Sequence, residues 1–398
     1  NIKIVHVTDI HYLSPSLTDY GKSFVETIEK SDGKMMRYID QIMDAFVLEM
    51  IRTKPDLVIV SGDMTYNGEK ESHIGLANKF KLLKDKGIKV LVLPGNHDLE
   101  NERALAFEGD ATRPVETVTI EEFEEIYKDY GYGKDDPDVV SRDKKSLNYV
   151  YQLGNKCHLI MVETSTKGND QTISNSSYRW IEKWLRKAKD MNMRVIGVSH
   201  QNILAHNKLF IAGYKITNSS RLVDLYNKYN VRINLSGHMH IQHMAEHKRV
   251  HDIALACLGL YPNLYGVLDM DLRNNMTYHT ESLDVAYWMK KYKHQDSDLL
   301  DFENTSREYF VRCTRLQTEK QLAKLDLSKE DKEMMMDFMV DTNIHYFSGS
   351  LDKRPDLSLD NPAYRLWMDH CERTFTGSYL NSIYTDTISD HNRLEIFQ

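Results

Sequence analysis

The sequence predicts an α/β fold with a two-sheet sandwich core, followed by a helical C-terminal domain. Three observations predict it. Short apolar runs alternate with helical patterns through the first two-thirds of the chain. Near the end of that part, strand patterns follow one another with no helix between them, which predicts antiparallel pairing and a second sheet. Beyond about residue 284 the strand patterns fade and helical ones take over. The predicted domains are therefore 1–283 and 284–398.

In order, residues 3–8 read as a strand carrying Ile4, Val5 and Val7, and residues 32–52 as a helix. Residues 57–60 are a strand introduced by Pro55-Asp56, 69–86 a helix stopped by Gly87, and 89–93 a strand ended by Pro94-Gly95. A helix at 119–130 leads into a Gly-, Asp- and Lys-rich surface loop at 131–145. Strands follow at 148–153 and 157–162, then a helix at 177–189 and a strand at 194–198. A helix at 219–229 precedes a strand at 231–235, with further strands between 243 and 271. The C-terminal part holds helices at 299–317, 328–346 and 361–374, punctuated by Pro355 and Pro362.

The 398 residues are 41% hydrophobic and 28% charged, an ordinary globular mixture that suits one large domain and a smaller one. No apolar run approaches the roughly 20 residues that cross a bilayer, so no transmembrane segment is expected. A net charge of −8 with no basic tract argues against long nucleic acid as a partner. Cys157, Cys257, Cys313 and Cys371 form no CxxC pair, which speaks against a zinc ribbon; pairing of Cys313 with Cys371 is left open. The chain starts at Asn1, directly in a strand and without an initiator methionine. Export after removal of a leader and a cytoplasmic location are both open, as is the oligomeric state.

Five clusters carry the chemistry: Asp9-Ile10-His11, Gly62-Asp63, Gly95-Asn96-His97-Asp98, Ser199-His200 and Gly237-His238-Met239-His240. Each follows an apolar strand, and ligands gather at the carboxyl ends of strands in α/β sheets. In an extended segment residues i and i+2 point the same way, so Asp9 with His11 and His238 with His240 are each expected to present a ligand pair. Imidazole, carboxylate and amide ligands together suit Mn, Fe, Zn or Co better than Ca or Mg. The set is too large for one catalytic ion and suits two ions, divalent or of mixed valence, sharing a carboxylate. Singly, Asp-x-His is commonplace and Gly-Asp is a turn signal; Gly-Asn-His-Asp after a strand is more specific.

The ordered set resembles the calcineurin-like metallophosphoesterase family over residues 1–283. That resemblance implies an αββα sandwich with a dinuclear centre at one edge. Asp9, His11, Asp63 and His240 would hold the first ion, and Asp63, Asn96, His200 and His238 the second, with Asp63 bridging. A hydroxide between the ions would attack phosphorus, His97 would stabilise charge or protonate the leaving oxygen, and Asp98 would orient His97. A narrower resemblance runs through Thr8-Asp9-Ile10-His11-Tyr12-Leu13-Ser14-Pro15, Asp32-Gly33-Lys34 and residues 62–69. It points to a bacterial subgroup with a helical C-terminal domain, similar to class III cyclic-nucleotide phosphodiesterases, many of them exported. It implies a small phosphoester substrate and favours a diester, a cyclic nucleotide among the candidates. A Ser/Thr protein phosphatase or other phosphomonoesterase is the alternative, and a metal-dependent binding module without activity a further one. Gln201 stands where many relatives have a second His.

Asn67, His73 and Asn101 are candidates for substrate contact, with turn and cap roles weighed equally. Tyr12 and Tyr66 are expected to pack rather than to stack on a base. His206 is a candidate for the pocket, while His243 and His247 read as surface residues. The C-terminal aromatics, including Tyr309, Phe338 and Trp367, read as core.

Overall fold

The computed structural model describes residues 1–168 and 171–397. In the first half, β1 (Ile2–Val7), α1 (Lys22–Phe24), α2 (Ile39–Thr53), β2 (Leu57–Ser61), α3 (Lys70–Lys84) and β3 (Lys89–Leu93) follow one another. Next come a hairpin of β4 (Leu105–Glu108) and β5 (Ala111–Pro114), α4 (Ile120–Ile126), β6 (Val139–Arg142), β7 (Tyr149–Leu153) and β8 (Cys157–Val162). The second half continues with α5 (Asn175–Asp190), β9 (Arg194–Ser199), α6 (Ser219–Lys228), β10 (Ile233–Ser236), β11 (His243–His247) and β12 (Val250–Ala254). Then β13 (Leu264–Met270) and β14 (Met276–Ser282) precede α7 (Val285–Lys291), α8 (Ser297–Leu300), α9 (Phe302–Leu322) and α10 (Lys329–Phe347). The chain closes with α11 (Pro362–Cys371), α12 (Phe375–Tyr384) and β15 (Arg393–Ile396).

Two sheets form the core, a six-stranded one in the order β15-β14-β13-β1-β2-β3 and a seven-stranded one in the order β11-β12-β10-β9-β8-β7-β6. The strands β1, β2 and β3 run parallel, as do β8, β9, β10 and β12. Parallel strands are covered on both faces, and every residue of β2, β8 and β9 is buried. Helix α5 shows why its segment folds as it does. Ser174 accepts from the N–H of Ser177 at the N-terminus, and Tyr178, Ile181, Leu185 and Ala188 form its buried stripe. In α4 the reciprocal bonds of Thr119 and Glu122 set the start.

The strands after residue 243 divide between the sheets instead of forming one antiparallel block. The pair β11–β12 extends the seven-stranded sheet, with β12 parallel to β10, while β13 lies antiparallel to β1 in the other sheet, Ile4 opposite Leu268. Segment 131–145, expected as a loop, contains the edge strand β6, whose half-exposed side chains hide its strand character. The expected helix at 32–52 begins only at Ile39, after a short turn at Met36–Tyr38.

Beyond β14 the chain is helical, as expected, and ends on β15, which pairs with β14 (Met276 opposite Ile396). The apolar side chains Val285, Trp288, Met289, Leu299 and Phe302 join the main core cluster, to which both sheets contribute. A second cluster around Met335, Met339, Trp367 and Leu380 also takes in Met239, Ile241 and Leu260. All four cysteines are free and buried; Cys313 and Cys371 do not pair, Cys313 directing its thiol to the Asp32 carbonyl and Cys371 lying in the helical cluster. Among the described residues no helix is long and apolar enough to cross a membrane.

Candidate metal centre

The five clusters lie just past the ends of β1, β2, β3, β9 and β10. Because these strands are parallel within their sheets, their carboxyl ends deliver the clusters to one edge of the sandwich. Strand alternation does not orient the ligand pairs, however. The strands stop at Val7 and Ser236, and Asp9, His11, Asp63, His238 and His240 all have left-handed backbones, with φ of 51°, 50°, 45°, 68° and 59°. For non-glycine residues that conformation costs about 1–3 kcal/mol each and persists only where surroundings impose it. The pairs project together because alternate residues turn the same way.

Neighbouring glycines make the approach possible. Gly62 has φ of 97°, and a Cβ there would lie 2.5 Å from His200 Nδ1. At Gly237 a Cβ would lie 2.4 Å from Asp9 Oδ2.

Asp9, His11, Asp63 and His240 bring their ligand atoms together in one group, and Asp63, His200 and His238 in a second. His240 Nε2 is 3.1 Å from Asp9 Oδ1 and 3.0 Å from His11 Nε2. On the other side His200 Nε2 is 3.2 Å from Asp63 Oδ2, 3.0 Å from Asn96 Oδ1 and 3.2 Å from His238 Nδ1. The outer ring nitrogens fix the tautomers. His200 Nδ1 donates to the Ser61 carbonyl at 2.9 Å, and His238 Nε2 donates to the Gly213 carbonyl at 2.8 Å. Each ring thereby turns its other nitrogen inward. Asp9 Oδ1 is buried without a hydrogen-bond donor. A buried orphan oxygen facing inward-turned imidazoles fits a divalent transition ion.

Electrostatics agree. Burial would raise the carboxyls of Asp9 and Asp63, yet the surrounding imidazoles hold both far below the usual range. Burial lowers His11 to about 3 and His238 to about 4. At His200 burial also lowers the pKa, but Asp63 and Asp9 outweigh it and push the ring up to about 10. The pocket therefore already attracts positive charge.

Residues 2–242 match the family described as calcineurin-like phosphoesterase. The chain belongs to that family. As a calcineurin-like phosphoesterase it is a metal-dependent phosphoesterase, and residues 284–390 match the C-terminal domain of cyclic nucleotide phosphodiesterase. It is 23% identical over 300 residues to a probable glycerophosphodiester phosphodiesterase of Arcobacter nitrofigilis, covering 72% of this chain and 89% of that one. To a probable cyclic nucleotide phosphodiesterase of Xenorhabdus bovienii it is 23% identical over 255 residues, covering 63% and 83%. The fold is shared with a dimetal phosphatase of Danio rerio, with a TM-score of 0.50 and 11% identity over 71% of this chain and 96% of that one.

In this phosphoesterase the four residues of the Gly-Asn-His-Asp turn divide their tasks differently from expectation. Asp98 does not orient His97. Its carboxylate accepts from the N–H groups of Gly95, Met64 and Thr65 at 2.8, 3.1 and 3.0 Å, and from Thr65 Oγ1 at 2.8 Å. Asp98 thus clamps the turn after β3 to the turn after β2. His97 Nδ1 instead donates to Tyr66 O at 3.0 Å and Asn67 Oδ1 at 2.9 Å. Asn67 is the orienting side chain, and Asn101 Nδ2 braces the turn by donating to His97 O at 3.0 Å. His73, buried, lies behind the same turn, with Nε2 2.8 Å from Asp98 O and Nδ1 2.7 Å from Tyr127 Oη.

The remaining candidates serve the scaffold. Tyr12 is buried and donates to Asp40, and Tyr66 contributes its carbonyl. Gln201 is buried and accepts from Thr164. His206 turns away from the centre to Asp252, and His243, expected at the surface, is buried against it; His247 is exposed as expected.

Proposed function

We propose that this phosphoesterase is a phosphodiesterase with a two-ion centre, acting on a small nucleotide-like diester. Asp9, His11, Asp63 and His240 hold one ion; Asp63, Asn96, His200 and His238 hold the other; Mn, Fe or Zn fits both sets. The observation that carries the reading is Asp63 Oδ2, which lies 3.8 Å from His11 Nε2 and 3.2 Å from His200 Nε2 and so faces both groups. Bound there, the ions supply Lewis acidity to phosphoryl oxygens and activate water.

The chain's own residues do the rest. With Nδ1 fixed by Tyr66 and Asn67, the His97 ring turns Nε2 toward the centre, 3.9 Å from Asp63 Oδ2. Its side chain is 27% exposed, so it is reachable from the cleft. In the protonated state His97 Nε2 donates to the leaving oxygen, and its backbone N–H donates to Asp63 Oδ1 at 3.0 Å, linking acid and ligand. A diester is favoured because both similar curated proteins are named as diesterases.

The test is hydrolysis of bis-p-nitrophenyl phosphate against p-nitrophenyl phosphate, by protein stripped of metal and then reconstituted with Mn. Preference for the diester is expected. Preference for the monoester would replace the reading with a phosphomonoesterase, and loss of metal-dependent turnover on both would leave a binding module.

A further inference from the structure

Close to the metal centre lies a cation that none of the roles above uses. Lys34 is buried, at 8% exposure, yet its ammonium has one partner among the described residues, Asp32 Oδ2 at 2.7 Å. An ammonium carries three N–H donors, and buried donors are ordinarily satisfied. The residue sits on the loop between α1 and α2, which is fastened from two sides. Met35 N–H donates to Gly259 O at 2.8 Å, and the same turn carries Cys257, whose Sγ donates to Asp9 O at 3.0 Å. From the helical domain, Tyr309 Oη of α9 donates to Asp32 O at 2.8 Å, and Cys313 Sγ approaches the same oxygen at 3.6 Å. Asp9 belongs to the first ligand group, so the turn against which the Lys34 loop is fastened backs onto the centre through Cys257.

We propose that Lys34 is a substrate-binding residue that donates to an anionic phosphoryl oxygen of the phosphoester, and that Tyr309 positions it through Asp32. This rests on the phosphoesterase site described above and adds a cation supplied by the chain itself. It also gives the helical domain a task at the centre, which it performs through the Asp32 carbonyl. A non-bridging oxygen is anionic both in the substrate and during reaction, so Lys34 contributes uniform binding. The signature of that role is a raised KM with kcat little changed.

The experiment uses the full-length, Mn-reconstituted protein with bis-p-nitrophenyl phosphate, together with calorimetric titration of inorganic phosphate. Lys34→Met should raise KM and the phosphate Kd about 10- to 100-fold, the range for losing a hydrogen bond to a charged group. Turnover should stay within about threefold and bound metal should be unchanged. Lys34→Arg should recover part of the loss, and Tyr309→Phe should show a smaller loss, about two- to fivefold, in the same direction. Lys34→Met leaves Asp32 unpaired and is open to misfolding. The double variant Asp32→Asn/Lys34→Met removes both charges and decides that case. If it recovers wild-type KM and phosphate affinity, or if phosphate binds Lys34→Met as tightly as wild type, Lys34 is structural and the proposal falls. Failure of the wild type to turn over the diester would overturn the diesterase reading alone, because the phosphate titration still decides Lys34.

Discussion

Two histidine clusters lie within a few residues of each other in sequence and behave in opposite ways. At the candidate metal centre, His200, His238, His240 and His11 each turn one ring nitrogen toward Asp9 or Asp63, within one of two groups of converging ligand atoms. The second cluster takes His206, six residues past His200, and His243, three residues past His240. There His206 Nε2 is 3.1 Å from Asp252, His206 Nδ1 is 2.8 Å from His243 Nδ1, and His243 Nε2 is 3.3 Å from Asp386. His391 stacks on His243 with ring centroids 4.0 Å apart and accepts from Met244 N–H. The Asp252 carboxylate is fully used, taking N–H groups from Ile203 and Leu204 and donors from Asn234 and Ser236. Both clusters hold imidazoles and carboxylates. What differs is the carboxylate: Asp9 Oδ1 is buried without a donor, whereas both Asp252 oxygens take donors. The first arrangement invites an ion; the second is a buried polar clasp between β11 and the segment after α12.

The largest test of this contrast is Asp63→Ala. It removes the carboxylate facing both ligand groups, and metal content by elemental analysis should fall, with diester hydrolysis reduced by about four orders of magnitude. Next, if His97 acts as proposed, His97→Ala should retain its metal and lose about 100- to 10,000-fold in kcat, a result that would set it apart from the ligands. If metal content also collapses, His97 belongs to the ligand set. On the other side, His243→Ala should leave metal content and kcat near wild type. By chemical denaturation it should cost about 2–3 kcal/mol, because His206 and Asp386 lose a buried partner. Metal loss in that variant would dissolve the distinction between the clusters.

The smallest effect is in pH. Burial, with the charge of His243 adding, lowers His391 to about 3, and burial lowers His73 to about 4. Both rings are neutral in the folded protein, whereas the unfolded chain takes up protons near pH 6.5. Their contribution to stability is therefore complete above about pH 6.5 and declines as pH falls from there toward 4. Thermal unfolding of the metal-free protein should show a falling midpoint across that window, and His73→Gln should flatten the decline. A midpoint independent of pH there would mean that these rings are charged in the fold.

The strands bearing ligands were legible because β-branched runs end in Gly-Asp or Gly-Asn-His-Asp, a local pattern. The helical C-terminal part was legible from periodicity. The sheet to which each late strand belongs was not, since β12 and β13 differ in partner rather than in composition. Asn67 as the partner of His97 escaped for a similar reason: the bond joins two turns, and Asp98, adjacent in sequence, spends its oxygens on backbone N–H groups. The burial of His243 escaped because its cover, Asp386 and His391, lies far along the chain.

The pairing of β15 with β14 bears on how the protein is made. The six-stranded sheet cannot be completed until Arg393–Ile396 has emerged, long after β14 has been synthesised. Through that interval the β14 edge offers unpaired N–H and C=O groups to any neighbouring chain. Removal of residues 393–397 should therefore lower soluble yield in the cell more than it lowers the turnover of the molecules that do fold.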